Sequence, residues 1–93
     1  MPRVELARGA IESLERLIVT HSLPADTRER LRRSIAPLAR FPRLGAIVRE
    51  EHADERFLIG PWQWMIVVYE YREAENRVVV LAIKDGRSAA SAS

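Results

Sequence analysis

The residues of this chain that are equipped for chemistry fall in four places. These are an arginine-rich run between Arg28 and Arg49, an acidic stretch around His52, the pair Trp62 and Trp64, and the segment Lys84-Asp85-Gly86-Arg87. From Arg28 to Arg49 seven arginines stand against Glu29 alone, a local charge of +6. Such a patch attracts nucleic acid or an acidic protein segment; the plainer alternative is a solvated helix face. An arginine fork holds phosphate or carboxylate through two parallel hydrogen bonds. Arg49 and Arg87, with Lys84 at the same basic edge as Arg87, are therefore candidates to grip a phosphate or a partner's carboxylate. Trp62 and Trp64 are the only tryptophans. Bases stack on such rings, protein interfaces anchor on them, and cores are filled by them. Glu50, Glu51, Asp54 and Glu55 with His52 contain the parts of an acid–base pair, but their density of charge reads as a solvated loop.

Composition narrows the classes. There is no cysteine, which removes disulfides and thiolate metal sites. His21 and His52 stand 31 positions apart with no ligand spacing around either, so no metal and no cofactor is expected. Met1-Pro2-Arg3-Val4-Glu5 lacks the apolar core of a signal peptide. The longest apolar runs, Trp64–Tyr69 and Val78–Ile83, are six residues each, far short of the roughly 20 a membrane span needs. The expectation is a soluble cytoplasmic protein with no membrane partner. Its 93 residues suit one domain, placed at 1–87, with the small polar residues 88–93 as a disordered tail. The net charge of +2 is unevenly spread, +4 over residues 1–50 and −2 over 51–93.

These groups must be positioned by the elements between them. Val4–Leu6 suggests a short strand. Ala7, Ala10, Ile11, Leu14, Leu17, Ile18 and His21 recur at i, i+3, i+4 and i+7, predicting a helix over 7–21; His21 closes the stripe as a packing or capping residue. Ser22-Leu23-Pro24 interrupts it. Asp26 and Glu29 have capping-box spacing for a second helix, whose stripe is Leu31, Ile35, Leu38 and Ala39, kinked at Pro37. Pro42 pushes Phe41 out of helical geometry, so that helix ends near Arg40, and Phe41 is expected to anchor in the core. Beyond Gly45 the period changes from 3.6 to 2. Phe57–Ile59, 62–72 and 77–84 read as strands, the last two joined by a hairpin loop at Glu73–Asn76. In the middle strand Trp62, Trp64, Ile66 and Val68 share one face, and Met65, Val67, Tyr69 and Tyr71 the other. The fold class is α+β, an N-terminal helical hairpin packed on one face of a small antiparallel β-sheet. The apolar character of the second face then calls for a ligand, a partner or a second copy.

This order of elements, with Phe41-Pro42-Arg43-Leu44-Gly45 after the second helix, then Val48-Arg49, the hairpin ending Val78-Val79-Val80-Leu81-Ala82-Ile83, and Gly86-Arg87, resembles the RelE/ParE superfamily of toxins from bacterial type II toxin–antitoxin systems. The resemblance runs over about residues 3–87. It implies two helices on a small antiparallel sheet and a cognate antitoxin whose C-terminal segment blocks the toxin. It also implies either of two activities: ribosome-dependent mRNA cleavage in the RelE-like branch or inhibition of DNA gyrase in the ParE-like branch. Arg49 and Arg87 match recurrent arginine positions of the family, and for a nuclease Arg49, Lys84 and Arg87 would be the catalytic candidates. Many relatives carry Tyr-Arg-x-x-Tyr where this chain has Trp62-Gln63-Trp64-Met65-Ile66, and a histidine where it has Asp85. The resemblance therefore favours a ParE-like toxin that binds its target. A RelE-like nuclease and a non-toxic antitoxin-binding member stand as alternatives. Arg49, Trp62, Trp64, Lys84 and Arg87 are the expected target- or partner-binding residues, and direct contact with nucleic acid is left open.

Overall fold

A computed structural model describes residues 1–52 and 54–87. The tail expected at 88–93 lies outside the described residues. The chain folds as β1 (Arg3–Leu6), α1 (Arg8–His21), α2 (Thr27–Ile35), β2 (Ala46–Ile47), β3 (Glu55–Ile59), β4 (Met65–Arg72) and β5 (Arg77–Asp85). Short 3-10 turns follow α2 and precede β3 and β5.

α1 forms where the apolar stripe was read. Ala10 and Leu14 are buried, and Leu17 and Ile18 pack at the edge of the core. Ser22 ends it in the left-handed region at φ 49°, its N–H turned back to the carbonyls of Ile18 and Val19. α2 buries Thr27, Leu31 and Ile35. The capping box does not form: Asp26 makes no side-chain cap and instead pairs with Arg30 one turn on, at 3.0 Å. At Pro37 the missing N–H stops the α ladder, and Ala36–Ala39 tightens into a 3-10 turn. Arg40 and Phe41 both donate to the Pro37 carbonyl there.

The five strands lie in the order β1-β5-β4-β3-β2. The sheet is mixed rather than wholly antiparallel, because β1 runs parallel to β5, with Val4 opposite Val78 and Leu6 opposite Val80. β1 thereby covers the free edge of β5 and carries Val4 and Leu6 to the core. One face of the sheet is covered by the helices: Met65, Val67 and Tyr69 of β4, with Val78, Val80 and Ile83 of β5, close against Ala10, Leu14, Leu31, Ile35 and Leu38. An irregularity between Val68 and Tyr69 pairs them with Ala82 and Val80, leaving Leu81 unmatched. This bulge resets the alternation, so that Val80 and Ile83 both point inward although three positions separate them.

Phe41 is not a core residue. It is 60% exposed, while Leu38 and Tyr69 are wholly buried. The space under the junction is filled by Tyr69, whose Oη accepts a hydrogen bond from the Gly45 N–H at 2.8 Å. Pro42 fixes the path of the backbone at the junction but not the side to which Phe41 turns.

Candidate target- and partner-binding site

The face of the sheet opposite the helices carries Phe57 and Ile59 of β3, Ile66 and Val68 of β4, and Ala82 and Lys84 of β5, as the strand register requires. Phe57, Ile66, Val68 and Ala82 are half-buried and Ile59 is half exposed. No described element covers them. Lys84 is exposed at the β5 end of this strip, opposite Ile66.

The two tryptophans stand at the same end of the sheet, in a turn rather than a strand. Gly60 N–H donates to the Met65 carbonyl at 2.8 Å and Met65 N–H to the Trp62 carbonyl at 2.9 Å. β4 therefore starts at Met65, three residues later than its hydrophobic pattern suggests. In the turn the rings stack on each other, centroids 6.2 Å apart and planes at 27°. Cations lie against both rings: the Arg30 guanidinium 5.5 Å from the Trp62 ring, and that of Arg87 4.8 Å from Trp64. The His21 imidazole sits 4.7 Å from Trp64. Arginine over an indole face is a favourable electrostatic contact, and here it ties α2 and the end of β5 to one aromatic pair. The rings also pack against the core. They are therefore part structural, and they hold two arginines in place, Arg30 from α2 and Arg87 beyond β5.

Gly86 allows the last step of this geometry. Its N–H donates to the Trp64 carbonyl at 2.6 Å, and a Cβ there would lie 2.9 Å from the Ile66 side chain. A side chain here would have to displace the tip of Ile66, and the passage delivers Arg87 over Trp64. The Asp85 carboxylate, largely buried, serves two partners. His21 Nε2 lies 3.2 Å from its Oδ2, and Arg87 Nε donates to Oδ1 at 3.2 Å. Successive strand residues point to opposite faces, so Lys84 looks out from the open face while Asp85 turns toward His21 on the helical side.

The expected site residues do not all converge. Trp62, Trp64, Lys84 and Arg87 gather at one end of the sheet. Arg49 does not join them: it is exposed after β2, where Val48 N–H bonds the Glu55 carbonyl and Glu55 faces Glu70. That is the opposite end of the sheet, roughly 15–20 Å from Ile66 and Lys84 at about 3.3 Å per strand residue. Sequence reasoning missed Arg30, His21 and Asp85 as neighbours of the tryptophans. The basic run was visible, but nothing in local spacing indicates that Arg30 meets Trp62. Among the described residues no three His, Asp or Glu side chains come together as a metal site, and no helix is long and apolar enough to cross a membrane.

No protein-family model matches the chain, and no curated protein matches it. Solved structures do. Two helices on one face of a five-stranded mixed sheet is the fold of the RelE-like toxins of type II toxin–antitoxin systems. The chain superposes on a metal-bound toxin from Helicobacter pylori with a TM-score of 0.71 at 15% identity, covering 95% of this chain and 98% of that one. It matches RelE in the intact E. coli RelBE toxin–antitoxin complex with a TM-score of 0.66 at 15% identity, over 91% and 96% of the two chains. A mutant E. coli RelE in complex with a peptide of its antitoxin gives 0.68 at 15% identity, over 99% and 94%. At this identity the likeness is one of fold.

Proposed function

We propose that this chain is the toxin of a type II toxin–antitoxin pair, that it acts by binding a cellular target as ParE-like toxins do, with DNA gyrase the first candidate, and that a cognate antitoxin neutralises it. The observation that carries this reading is the open strip of Phe57, Ile59, Ile66, Val68 and Ala82 with Lys84 and Arg87 at its end. Apolar surface rimmed by cations suits an amphipathic segment that brings apolar side chains and carboxylates together. The structural relatives include a RelE bound to its antitoxin and one bound to an antitoxin peptide, which supports a partner of the same kind here.

Binding is favoured over RNA cleavage by what the strip lacks. Cleavage through the 2′-hydroxyl needs a base for that hydroxyl, an acid for the leaving oxygen and cations for the growing charge. Lys84 and Arg87 are cations, and the side chains beside them on the strip, Ile66 and Ile59, are apolar. Among the described residues the imidazole near this end of the sheet is that of His21, paired with Asp85. It lies on the helical side, Nε2 engaged by the carboxylate, while Lys84 points the other way.

The test is induced expression with and without the small reading frame next to the gene. The outcome that supports the proposal is growth arrest relieved by that frame, with DNA supercoiling affected while mRNA ends stay unchanged. Normal growth under full expression of soluble protein overturns the toxin reading. Arrest accompanied by codon-positioned mRNA cuts overturns the ParE-like choice.

A further inference from the structure

The charges of this chain are mostly paired internally. Arg28 bonds Glu15 with both arms of its fork, Arg30 pairs with Asp26, Arg43 with Glu73, Arg72 with Glu70 and Arg77 with Glu5 and Glu75. Two regions depart from this among the described residues: the outer face of α1, where Arg8, Glu12 and Arg16 make no ion pair, and the surroundings of β2, where the unpaired charges coincide with exposed apolar surface. Around β2, Arg40, Arg49, Glu50, Glu51, Asp54 and Glu55 make no ion pair within the described residues, although charges of both signs stand within a few positions of one another. Among the described residues the longest run of exposed apolar side chains is here too: Phe41 is 60% exposed, Leu44 58%, Ile47 44% and Val48 40%. β2 is also an edge strand, hydrogen-bonded to β3 alone, so its outer backbone groups are unpaired.

We infer that the β2 edge is a self-complementary interface through which two copies of this chain associate about a two-fold axis. The charge order points to a second copy rather than a foreign segment. Arg40 and Arg43 lead into β2, and Glu50, Glu51 and Asp54 lead away from it beyond Arg49. When two β2 strands pair antiparallel, the residues entering the strand in one copy lie beside those leaving it in the other. The basic approach of each chain then meets the acidic exit of its mate, twice over, as an isologous contact demands. Phe41, Leu44, Ile47 and Val48 of both copies supply the apolar centre, and the charges form its rim. A partner that was only acidic would satisfy Arg40 and Arg49 and be repelled by the acids that follow. The strand itself spans two residues, so the backbone offers little indiscriminate pairing and the side chains select the mate. The open strip lies on a face of the sheet and this interface at its edge, so the inference stands apart from the proposed function.

The experiment is light scattering and sedimentation of the purified chain from micromolar to millimolar concentration, at low and high salt. A mass of twice the chain, falling on dilution and with added salt, is expected. Ile47→Lys is expected to give a monomer. So are two charge reversals made separately, Arg40→Glu with Arg49→Glu, and Glu50→Arg with Glu51→Arg. Mixing the two reversed proteins in equal amounts is expected to restore a dimer, because each then supplies the charge the other lacks. All these positions are exposed, and circular dichroism checks the fold of every variant. A wild-type chain that stays monomeric throughout overturns the inference by itself, whatever the variants do. A dimer that survives Ile47→Lys and both reversals, or that is lost with Ile66→Lys instead, overturns it as well, the last outcome moving the contact to the open face. Failure of the mixed reversals to reassociate also overturns it.

Discussion

Tyr69 and Gly45, 24 positions apart, are joined by a hydrogen bond in which the buried phenol oxygen accepts the Gly45 N–H at 2.8 Å. Around it, Arg56 Nη1 donates to the Gly45 carbonyl at 2.9 Å and to that of Arg43 at 3.3 Å. A Cβ on Gly45 would lie 2.4 Å from the Phe57 carbonyl oxygen and 2.9 Å from the Tyr69 ring and hydroxyl. Phe41-Pro42-Arg43-Leu44-Gly45 is thus a docking point at which the helical half is fastened to the sheet.

Gly45→Ala is expected to destabilise the domain by about 1–3 kcal/mol, the range for forcing extra carbon into a filled site. Tyr69→Phe leaves the Gly45 N–H buried without a partner and is expected to cost about 1–3 kcal/mol. Urea unfolding followed by tryptophan fluorescence measures both. A stability unchanged by either substitution contradicts the junction as described.

The same contact gives a pH signature. Burial pushes the Tyr69 phenol above its ordinary value, the Gly45 hydrogen bond and the Arg56 charge opposing in part. The folded state therefore keeps the proton longer than the unfolded chain, whose tyrosines ionise near about pH 10. The stabilisation is whole below that pH and is lost as pH rises toward the folded value. The melting temperature is expected to fall above about pH 10, and Tyr69→Phe, measured beside the wild type, is expected to flatten that part of the curve.

Much of the frame was legible because it follows from local periodicity. The stripe Ala10, Leu14 and Ile18 and the alternation of Met65, Val67 and Tyr69 against Ile66 and Val68 assign elements and faces without knowledge of neighbours. What was not legible depends on distant partners. Val4 and Leu6 alternate as a strand must, but alternation does not say that β1 runs parallel to β5. Trp62 and Trp64 match the face of Ile66 by parity; the turn bonds between Gly60, Met65 and Trp62 remove them from the strand. Asp85 was read as a departure from a family pattern, whereas it is the shared acceptor of His21 and Arg87. The position of Arg49, opposite to Lys84 and Arg87, was hidden because sequence order carries no distance along the sheet.

Phe41→Ala, by the logic of a buried anchor, would cost several kcal/mol. With the ring 60% exposed, the expected change is within about 0.5 kcal/mol, as for most surface substitutions. Thermal unfolding at a concentration low enough to keep the chain monomeric decides it. A large loss would return Phe41 to the core.

Arg87 separates binding from stability. Its side chain is 61% exposed, so Arg87→Ala is expected to change stability by less than about 1 kcal/mol. If Arg87 meets a partner's carboxylate, the lost charge-assisted bonds amount to about 1.5–3 kcal/mol, or more than tenfold in affinity for the proposed antitoxin. Calorimetric titration against the protein encoded by the neighbouring reading frame, the proposed antitoxin, beside a melting curve, reads both quantities. Equal affinity for the two proteins would remove Arg87 from the interface.

The remaining prediction is that the purified chain does not cut mRNA on the ribosome. Arg49 stands at the other end of the sheet, so the cations able to reach one phosphate from the open face reduce to Lys84 and Arg87. An ammonium and a guanidinium carry hydrogen-bond donors and no acceptor, so neither takes the 2′-hydroxyl proton. The strand positions between them and the sheet centre hold Ile66, Val68 and Ala82, which give no hydrogen bond to developing charge. Trp64 does not compensate, since Arg87 lies over its ring and Trp62 stacks on it. A cell-free translation reaction containing the protein, with messenger ends mapped afterwards, is expected to show the same ends as a reaction without it. Cuts at fixed codon positions that disappear with Arg87→Ala would establish turnover and overturn this prediction.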